Sequence, residues 1–112
     1  ADTEKLAIHI HELGDCVSKD GSSAGGHWNP TEEGHGEWGV KPFHSGDIGN
    51  ININNNGNGS LVMKDHFKRW SISSPGNTNI IGRSIIVHSG VDDMNSQPSG
   101  AAGSRIGCGV IQ

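Results

Sequence analysis

Short runs in which apolar and polar residues alternate recur along this chain, and such runs predict β-strands. The first run, at residues 5–11, reads Lys-Leu-Ala-Ile-His-Ile-His. A run at 48–54, an asparagine- and glycine-rich turn and a second run at 60–64 together predict a hairpin. Further strands are expected at 70–73, 84–88 and 105–111. No segment has a convincing helical period, so we predict an all-β fold.

Two long segments without a sustained period separate these strands. Residues 12–47 form a stretch too long for an ordinary connection, and residues 89–104 form a second irregular one. Something other than a β-ladder must hold such segments in place. We expect a single domain over residues 1–112, with two long functional loops.

The composition predicts a thin core. Hydrophobic residues make up 31% of the 112 residues and aromatic residues 4%, and eighteen are glycine. A small domain of this kind usually needs metals, disulfides or a partner subunit to be stable. A bond between Cys16 and Cys108 would close most of the domain into one loop. The alternative is two unrelated buried thiols.

The charge pattern argues against two classes of partner. The formal net charge is −4 and the basic residues are scattered, which does not favour a nucleic-acid surface. No apolar run approaches the roughly 20 residues that span a bilayer. We therefore expect a soluble mature protein with no nucleic-acid or membrane partner, from which any export signal has been removed.

The histidines are the main chemical signal. Residues i and i+2 of a strand point to the same side, so His9 and His11 form a ready pair of ligands. Imidazole suits copper and zinc. Three more histidines and an aspartate lie in the long loop, where a bound metal would replace the missing ladder, and one histidine ends a predicted strand. These residues are His27, His35, His44, Asp47 and His88.

Less specific interpretations remain open for these histidines. One member of the His9/His11 pair could be a hydrogen-bonded core residue. His66 lies in a charged run and is predicted to be a solvated side chain that binds no metal. Spacing alone does not say which metal binds where, or that a reaction is catalysed.

Several ordered motifs match a known family. They are His9-Ile10-His11-Glu12, Gly25-Gly26-His27-Trp28-Asn29-Pro30, His44-Ser45-Gly46-Asp47-Ile48-Gly49-Asn50, Ile81-Gly82-Arg83-Ser84-Ile85-Ile86-Val87-His88 and Gly103-Ser104-Arg105-Ile106-Gly107-Cys108-Gly109-Val110-Ile111. On these motifs the chain resembles the copper/zinc superoxide dismutases over essentially its whole length. The resemblance implies a Greek-key flattened β-barrel, an immunoglobulin-like sandwich of two sheets, with metals held outside it by two long loops.

The resemblance also implies a role for each site residue. The copper ligands would be His9, His11, His27 and His88, and the zinc ligands His27, His35, His44 and Asp47. His27 would bridge the two metals. Asp92 matches an outer aspartate that binds His9 and His35, Arg105 an arginine that guides the anion, and Cys16 with Cys108 the disulfide. From the chain alone, Asp92 would be a turn cap and Arg105 an ordinary surface arginine.

The implied reaction is disproportionation of superoxide to oxygen and hydrogen peroxide by a redox-cycling copper bridged to zinc through His27, with Arg105 and His27 as catalytic residues. One alternative is a domain that keeps both metals for a structural or metal-buffering role with little catalysis. Another is a zinc-only folding domain.

Two departures from the family pattern shape the remaining expectations. Only residues 1–4 precede the His-x-His strand, where the family has several strands, so we expect an N-terminally truncated chain. A homodimer or a strand-completing partner chain would cover the open edge. The position of Cys16 and the segment Asn95-Ser96-Gln97-Pro98 look like the bacterial exported branch, which implies a periplasmic or extracellular protein.

Overall fold

The computed structural model describes residues 4–54, 56–65, 68–73, 78–92 and 102–112. Its regular part is one antiparallel sheet of four strands in the spatial order β2-β1-β3-β4. The strands are β1 (Glu4–His11), β2 (Gly49–Ile53), β3 (Ser84–His88) and β4 (Arg105–Val110). The all-β class is confirmed, as are the strands predicted at 5–11, 84–88 and 105–111. A single 3-10 turn at Ser22–Ala24 is the one helical element in the described part of the chain.

The register of the sheet brings candidate ligands together. β1 runs through the middle, where Leu6 lies opposite Ile51 of β2 and His9 lies opposite Ile86 of β3. At the other edge His88 lies opposite Arg105, just after an irregularity between Val87 and His88. Opposed residues of antiparallel strands point to the same side of the sheet. Residues far apart in sequence therefore meet on one face.

Two of the predicted strands are wrong. The turn after β2 forms, because the Asn54 amide donates to the Asn58 carbonyl at 2.8 Å. Beyond Gly59, however, residues 60–64 leave the ladder, and Val62 is 94% exposed. Residues 70–73 make only an isolated bridge from Ser71 to Asn79. An alternating pattern gives a strand only where a neighbouring strand supplies hydrogen-bond partners.

The buried face of the sheet is the one that carries the histidines. Along β1 the side chains of Ala7, His9 and His11 are fully buried, whereas on the opposite face Leu6 and Ile8 are half-buried and Ile10 is buried. β3 repeats this alternation, with a buried set of Ser84, Ile86 and His88. Residues 12–47 cover this face, and they add Trp28 and Phe43 to the core. The core is thin, as predicted, and polar side chains occupy much of it.

Some expectations are not reached by the described structure. His66 and the segment Asn95-Ser96-Gln97-Pro98 lie outside the described residues, so they stay predictions. Closure of the sheet into a flattened barrel also stays a prediction. Among the described residues, no helix has the length and apolar character needed to cross a bilayer.

Candidate metal centre

Backbone hydrogen bonds fasten the long loop to β1. The Trp28 amide donates to the Ile10 carbonyl at 2.8 Å, and the Glu12 amide donates to the Gly26 carbonyl at 3.0 Å. A second limb of the loop inserts beside the first, where the Ile10 amide donates to the Gly46 carbonyl at 2.9 Å. A Cβ at Gly46 would lie 2.1 Å from the Ile10 carbonyl oxygen, so only glycine fits there. These bonds set His27 beside His11.

One group of four histidines gathers where β1, β3 and the loop meet. Each member offers one nitrogen, and these nitrogens all lie within 4.8 Å of one another. His9 Nδ1 is 3.0 Å from His88 Nε2. The Nε2 atoms of His11 and His27 are buried without a hydrogen-bond partner. Buried polar atoms without partners are unfavourable, so this group has the character of a metal site. Its members are His9, His11, His27 and His88.

A second group converges on one carboxylate oxygen. Asp47 Oδ1 is 3.0 Å from His27 Nδ1, 3.0 Å from His35 Nδ1 and 3.2 Å from His44 Nδ1. His27 Nδ1 and His44 Nδ1 are 3.1 Å apart. Four ligands of a tetrahedral zinc ion, each about 2.0–2.1 Å from the metal, lie about 3.3 Å from one another. The donor set and its spacing therefore fit zinc.

His9 also lies within reach of this second group. With His27, His35 and Asp47 it forms a set whose ligand atoms are all within 4.8 Å of one another. His44 is nevertheless the better fourth member, because its Nδ1 faces Asp47 Oδ1 whereas His9 Nδ1 faces His88. His9 therefore belongs with the four histidines.

Asp92 contacts one histidine of each group. Its Oδ1 is 2.9 Å from His35 Nε2 and 3.4 Å from His9 Nε2, and all three side chains are fully buried. The Asp92 amide in turn donates to Asn50 Oδ1 at 2.7 Å. A carboxylate in this position fixes the tautomer and orientation of a metal-binding histidine. This role of Asn50 was not predictable from the sequence, because a polar residue in an alternating strand ordinarily faces solvent.

Burial keeps most of these imidazoles neutral. It lowers the pKa of His11 to about 3 and that of His27 to about 4, and it lowers the pKa of His9 and His88 as well. A neutral imidazole has a lone pair available for a metal. These four histidines, which we call the copper-type group, therefore need no deprotonation near neutral pH.

Hydrogen bonds outweigh burial in setting the pKa of two members of the zinc-type group, the name we give to His27, His35, His44 and Asp47. Burial acts to lower the pKa of His35, but hydrogen bonds to Asp47 and Asp92 outweigh it and raise the pKa to about 10. Burial acts to raise the pKa of Asp47, but hydrogen bonds from three histidines outweigh it and hold that pKa below its usual range. The two carboxylates thus favour a positive charge on His35.

Arg105 stands at the rim of the histidine group. It lies opposite His88 across the β3–β4 pair, and its Nη1 donates to the Gly21 carbonyl at 2.7 Å. A cavity of about 360 Å³ opens beside it, with Lys19 also in its lining. The Cys16–Cys108 disulfide borders the same cavity and joins the loop to β4. The pairing of the two cysteines is confirmed, and neither thiol is free.

Comparison with known proteins decides the family. The family described as "Copper/zinc superoxide dismutase (SODC)" matches residues 1–111. The chain belongs to the copper/zinc superoxide dismutases. It is 39% identical to superoxide dismutase [Cu-Zn] 1 of Aquifex aeolicus over 96% of this chain, and 40% identical to the superoxide dismutase of Saccharomyces cerevisiae over 93% of it. The chain spans 64% and 68% of these two relatives, respectively.

Solved structures with similar folds include two proteins that are not named superoxide dismutases. The clock protein EA4 superposes with a TM-score of 0.83 at 33% identity, over 98% of this chain and 71% of that one. A SOD-like protein from Bacillus subtilis also has a TM-score of 0.83, at 34% identity, over 96% of this chain and 72% of that one. Similar dismutases occur in bacteria and eukaryotes, so the bacterial exported branch stays a prediction.

All of the site residues predicted in the described part of the chain lie at one location. The copper/zinc superoxide dismutase family implies copper and zinc as cofactors, and the buried nitrogens without partners, together with the spacing around Asp47, fit such metals. The sequence had not indicated Asn50, which supports Asp92 from β2.

Proposed function

We propose that this chain carries the active centre of a superoxide dismutase, which converts two superoxide ions and two protons into oxygen and hydrogen peroxide. The observation that carries the proposal is the position of His27. Its Nδ1 lies 3.0 Å from Asp47 Oδ1 in the zinc-type group, its Nε2 is buried without a hydrogen-bond partner, and His27 is also a member of the group of four histidines. One imidazole thus offers a nitrogen to each group.

The two groups support the ligand assignment that the family resemblance implies. Copper would be held by His9, His11, His27 and His88, and zinc by His27, His35, His44 and Asp47. When bound, copper supplies the one-electron chemistry, and redox-inert zinc fixes the loop. Asp92 would keep His9 and His35 oriented toward the metals from behind.

The remaining steps fall to side chains of this chain. His27 can hold and release a proton at Nε2, a buried atom with no protein partner. Arg105, which lies opposite His88 across the β3–β4 pair, would attract a small anion despite the net charge of −4. Burial around the histidines limits access by larger anions.

A combined metal and activity measurement tests this function. The purified chain, loaded with both metals, is expected to bind one copper and one zinc ion and to consume superoxide at a rate that depends on copper. Stoichiometric metals without superoxide consumption would favour the structural or metal-buffering role. Activity and stability that do not depend on copper would favour a zinc-only folding domain.

Arg105 is proposed to steer the substrate anion. Replacing Arg105 with isoleucine is expected to slow association with superoxide and to flatten its dependence on ionic strength, while metal content stays unchanged. Arg105→Lys, which keeps the charge, is the matched control. Equal rates for Arg105→Ile and the unaltered chain at low salt would contradict a steering role.

Gly21 is proposed to fix the position of Arg105. Its φ is 77°, and a Cβ there would lie 2.9 Å from Arg105 Cβ and Cδ. We therefore expect Gly21→Ala to displace the arginine and reproduce part of the Arg105→Ile loss in rate. Gly57→Ala is the matched control, since its φ is 81° but no atom lies within 4 Å of the added carbon. Equal effects of both variants would attribute the loss to backbone strain alone.

The disulfide supports a location outside the reducing cytosol. Disulfides persist in secreted, periplasmic and extracellular proteins. We propose that the protein is exported and that a homodimer contact or a strand from a partner chain covers the half-buried side of the sheet at Leu6 and Ile8. Analytical ultracentrifugation of the purified protein would test the dimer.

A further inference from the structure

A buried arginine outside both metal groups binds the loop that carries the zinc-type ligands. Arg69 is only 7% exposed. Its Nη1 donates to Thr31 Oγ1 at 3.2 Å, to the Phe43 carbonyl at 3.3 Å and to Ser45 Oγ at 3.5 Å. Its Nη2 donates to Glu33 Oε1 at 2.8 Å. One guanidinium group therefore contacts two separate limbs of the loop.

These two limbs each carry a zinc-type ligand. Phe43 and Ser45 are the residues on either side of His44, and Glu33 lies two residues before His35. Glu33 also ties the limbs directly, because its Oε2 accepts a hydrogen bond from the Phe43 amide at 3.1 Å. The spacing of His35 and His44 thus depends on contacts behind them.

The arginine is itself held firmly. Its guanidinium carbon lies 4.1 Å from the centre of the Phe43 ring, a cation–π contact. Asp65 accepts from the amides of Arg69 and Trp70, each at 2.8 Å, and the Trp70 indole donates to the Ser45 carbonyl. A fixed cation with a planar fork of donors can set the geometry of the backbone that it binds.

We propose that Arg69 is a positioning residue for the zinc site, which acts through the Glu33 carboxylate and the backbone around His44. This inference rests on the proposed zinc assignment. The side-chain partners of Arg69 given above all lie in the loop that carries His35 and His44, so its effect is expected on zinc. Outer contacts of this kind typically change metal affinity by about 10–100-fold.

Competition with a coloured chelator, on the full oxidised chain, tests the proposal with zinc and copper separately. Arg69→Met is expected to raise the zinc dissociation constant about 10–100-fold and to leave the copper constant unchanged. Arg69→Lys keeps the positive charge but loses the planar set of guanidinium donors, so an intermediate zinc dissociation constant is expected. Glu33→Gln is expected to weaken zinc in the same direction. Lys68→Met, which removes an exposed neighbouring charge, is the matched control.

Two further results separate the possible failures. Cobalt bound in place of zinc is expected to show an altered visible spectrum in Arg69→Met, which a general loss of stability would not produce. In one outcome, zinc binds the unaltered chain and His44→Ala abolishes zinc binding, but Arg69→Met and Glu33→Gln have the same zinc dissociation constant as Lys68→Met. That outcome overturns the inference about Arg69 and leaves the zinc assignment in place. If the unaltered chain and His44→Ala bind zinc equally poorly, both the zinc assignment and the inference about Arg69 are overturned.

Discussion

Replacing His27 with alanine is expected to remove more of the proposed superoxide dismutase activity than any other single change and to weaken the binding of both metals. Its Nδ1 is 3.0 Å from Asp47 Oδ1, and its Nε2 has no protein partner in the histidine group. Changes in outer contacts alone cost about 10–100-fold in metal affinity or activity, so loss of a shared ligand is expected to exceed about 100-fold. Metal analysis after dialysis, together with a superoxide assay, measures both effects.

Two matched variants make this result specific. His11→Ala removes a member of the histidine group only, and is expected to weaken copper while zinc is retained. His44→Ala removes a nitrogen that faces Asp47, and is expected to weaken zinc first. A His27→Ala protein that lost only one metal, in the manner of either control, would contradict the shared-ligand arrangement.

Removing the disulfide is expected to cause the largest loss of stability. Cys16 and Cys108 are 92 residues apart in sequence, and closing a loop of that length in the unfolded chain is worth about 4–5 kcal/mol in the chain-entropy model. The whole free energy of unfolding of a typical domain is about 5–15 kcal/mol. Urea denaturation of the metal-free Cys16→Ser/Cys108→Ser protein is therefore expected to show a free energy of unfolding about 4–5 kcal/mol below that of the unaltered chain.

A metal-loaded sample of the same double variant provides the control. Ligands that bind only the folded state add to its stability, so copper and zinc are expected to restore part of the loss. A decrease below about 1 kcal/mol in the metal-free protein would contradict the prediction, since it would place the disulfide's contribution far below the loop-closure value.

The parts of the fold that the sequence predicted are those with local patterns. β1 and β4 alternate apolar and small or polar residues, β3 is a short apolar run between Ser84 and His88, and each pairs with a neighbouring strand. The pair His9 and His11 follows from the two-residue period, and their ring centres are 6.3 Å apart. Residues 60–64 show a similar pattern but have no ladder in the described structure, because pairing depends on distant segments.

The site residues that local pattern could not reveal depend on contacts across long sequence separations. Asp92 reads as a turn cap until the fold places it against His9 and His35. Arg69 lies in a charged run, which normally faces solvent, yet it is buried against a loop limb that precedes it in the chain. The role of Asp92 was predicted from the resemblance to the family, whereas the contacts of Arg69 were found only in the structure.

Anomalous diffraction at the copper and zinc absorption edges, from crystals of the metal-loaded protein, tests the central claim most directly. The account predicts two separate peaks, with His27 as the one side chain that contacts both: copper at Nε2 with His9, His11 and His88, and zinc at Nδ1 with His35, His44 and Asp47. A single peak, or two peaks of which only one contacts His27, would contradict it.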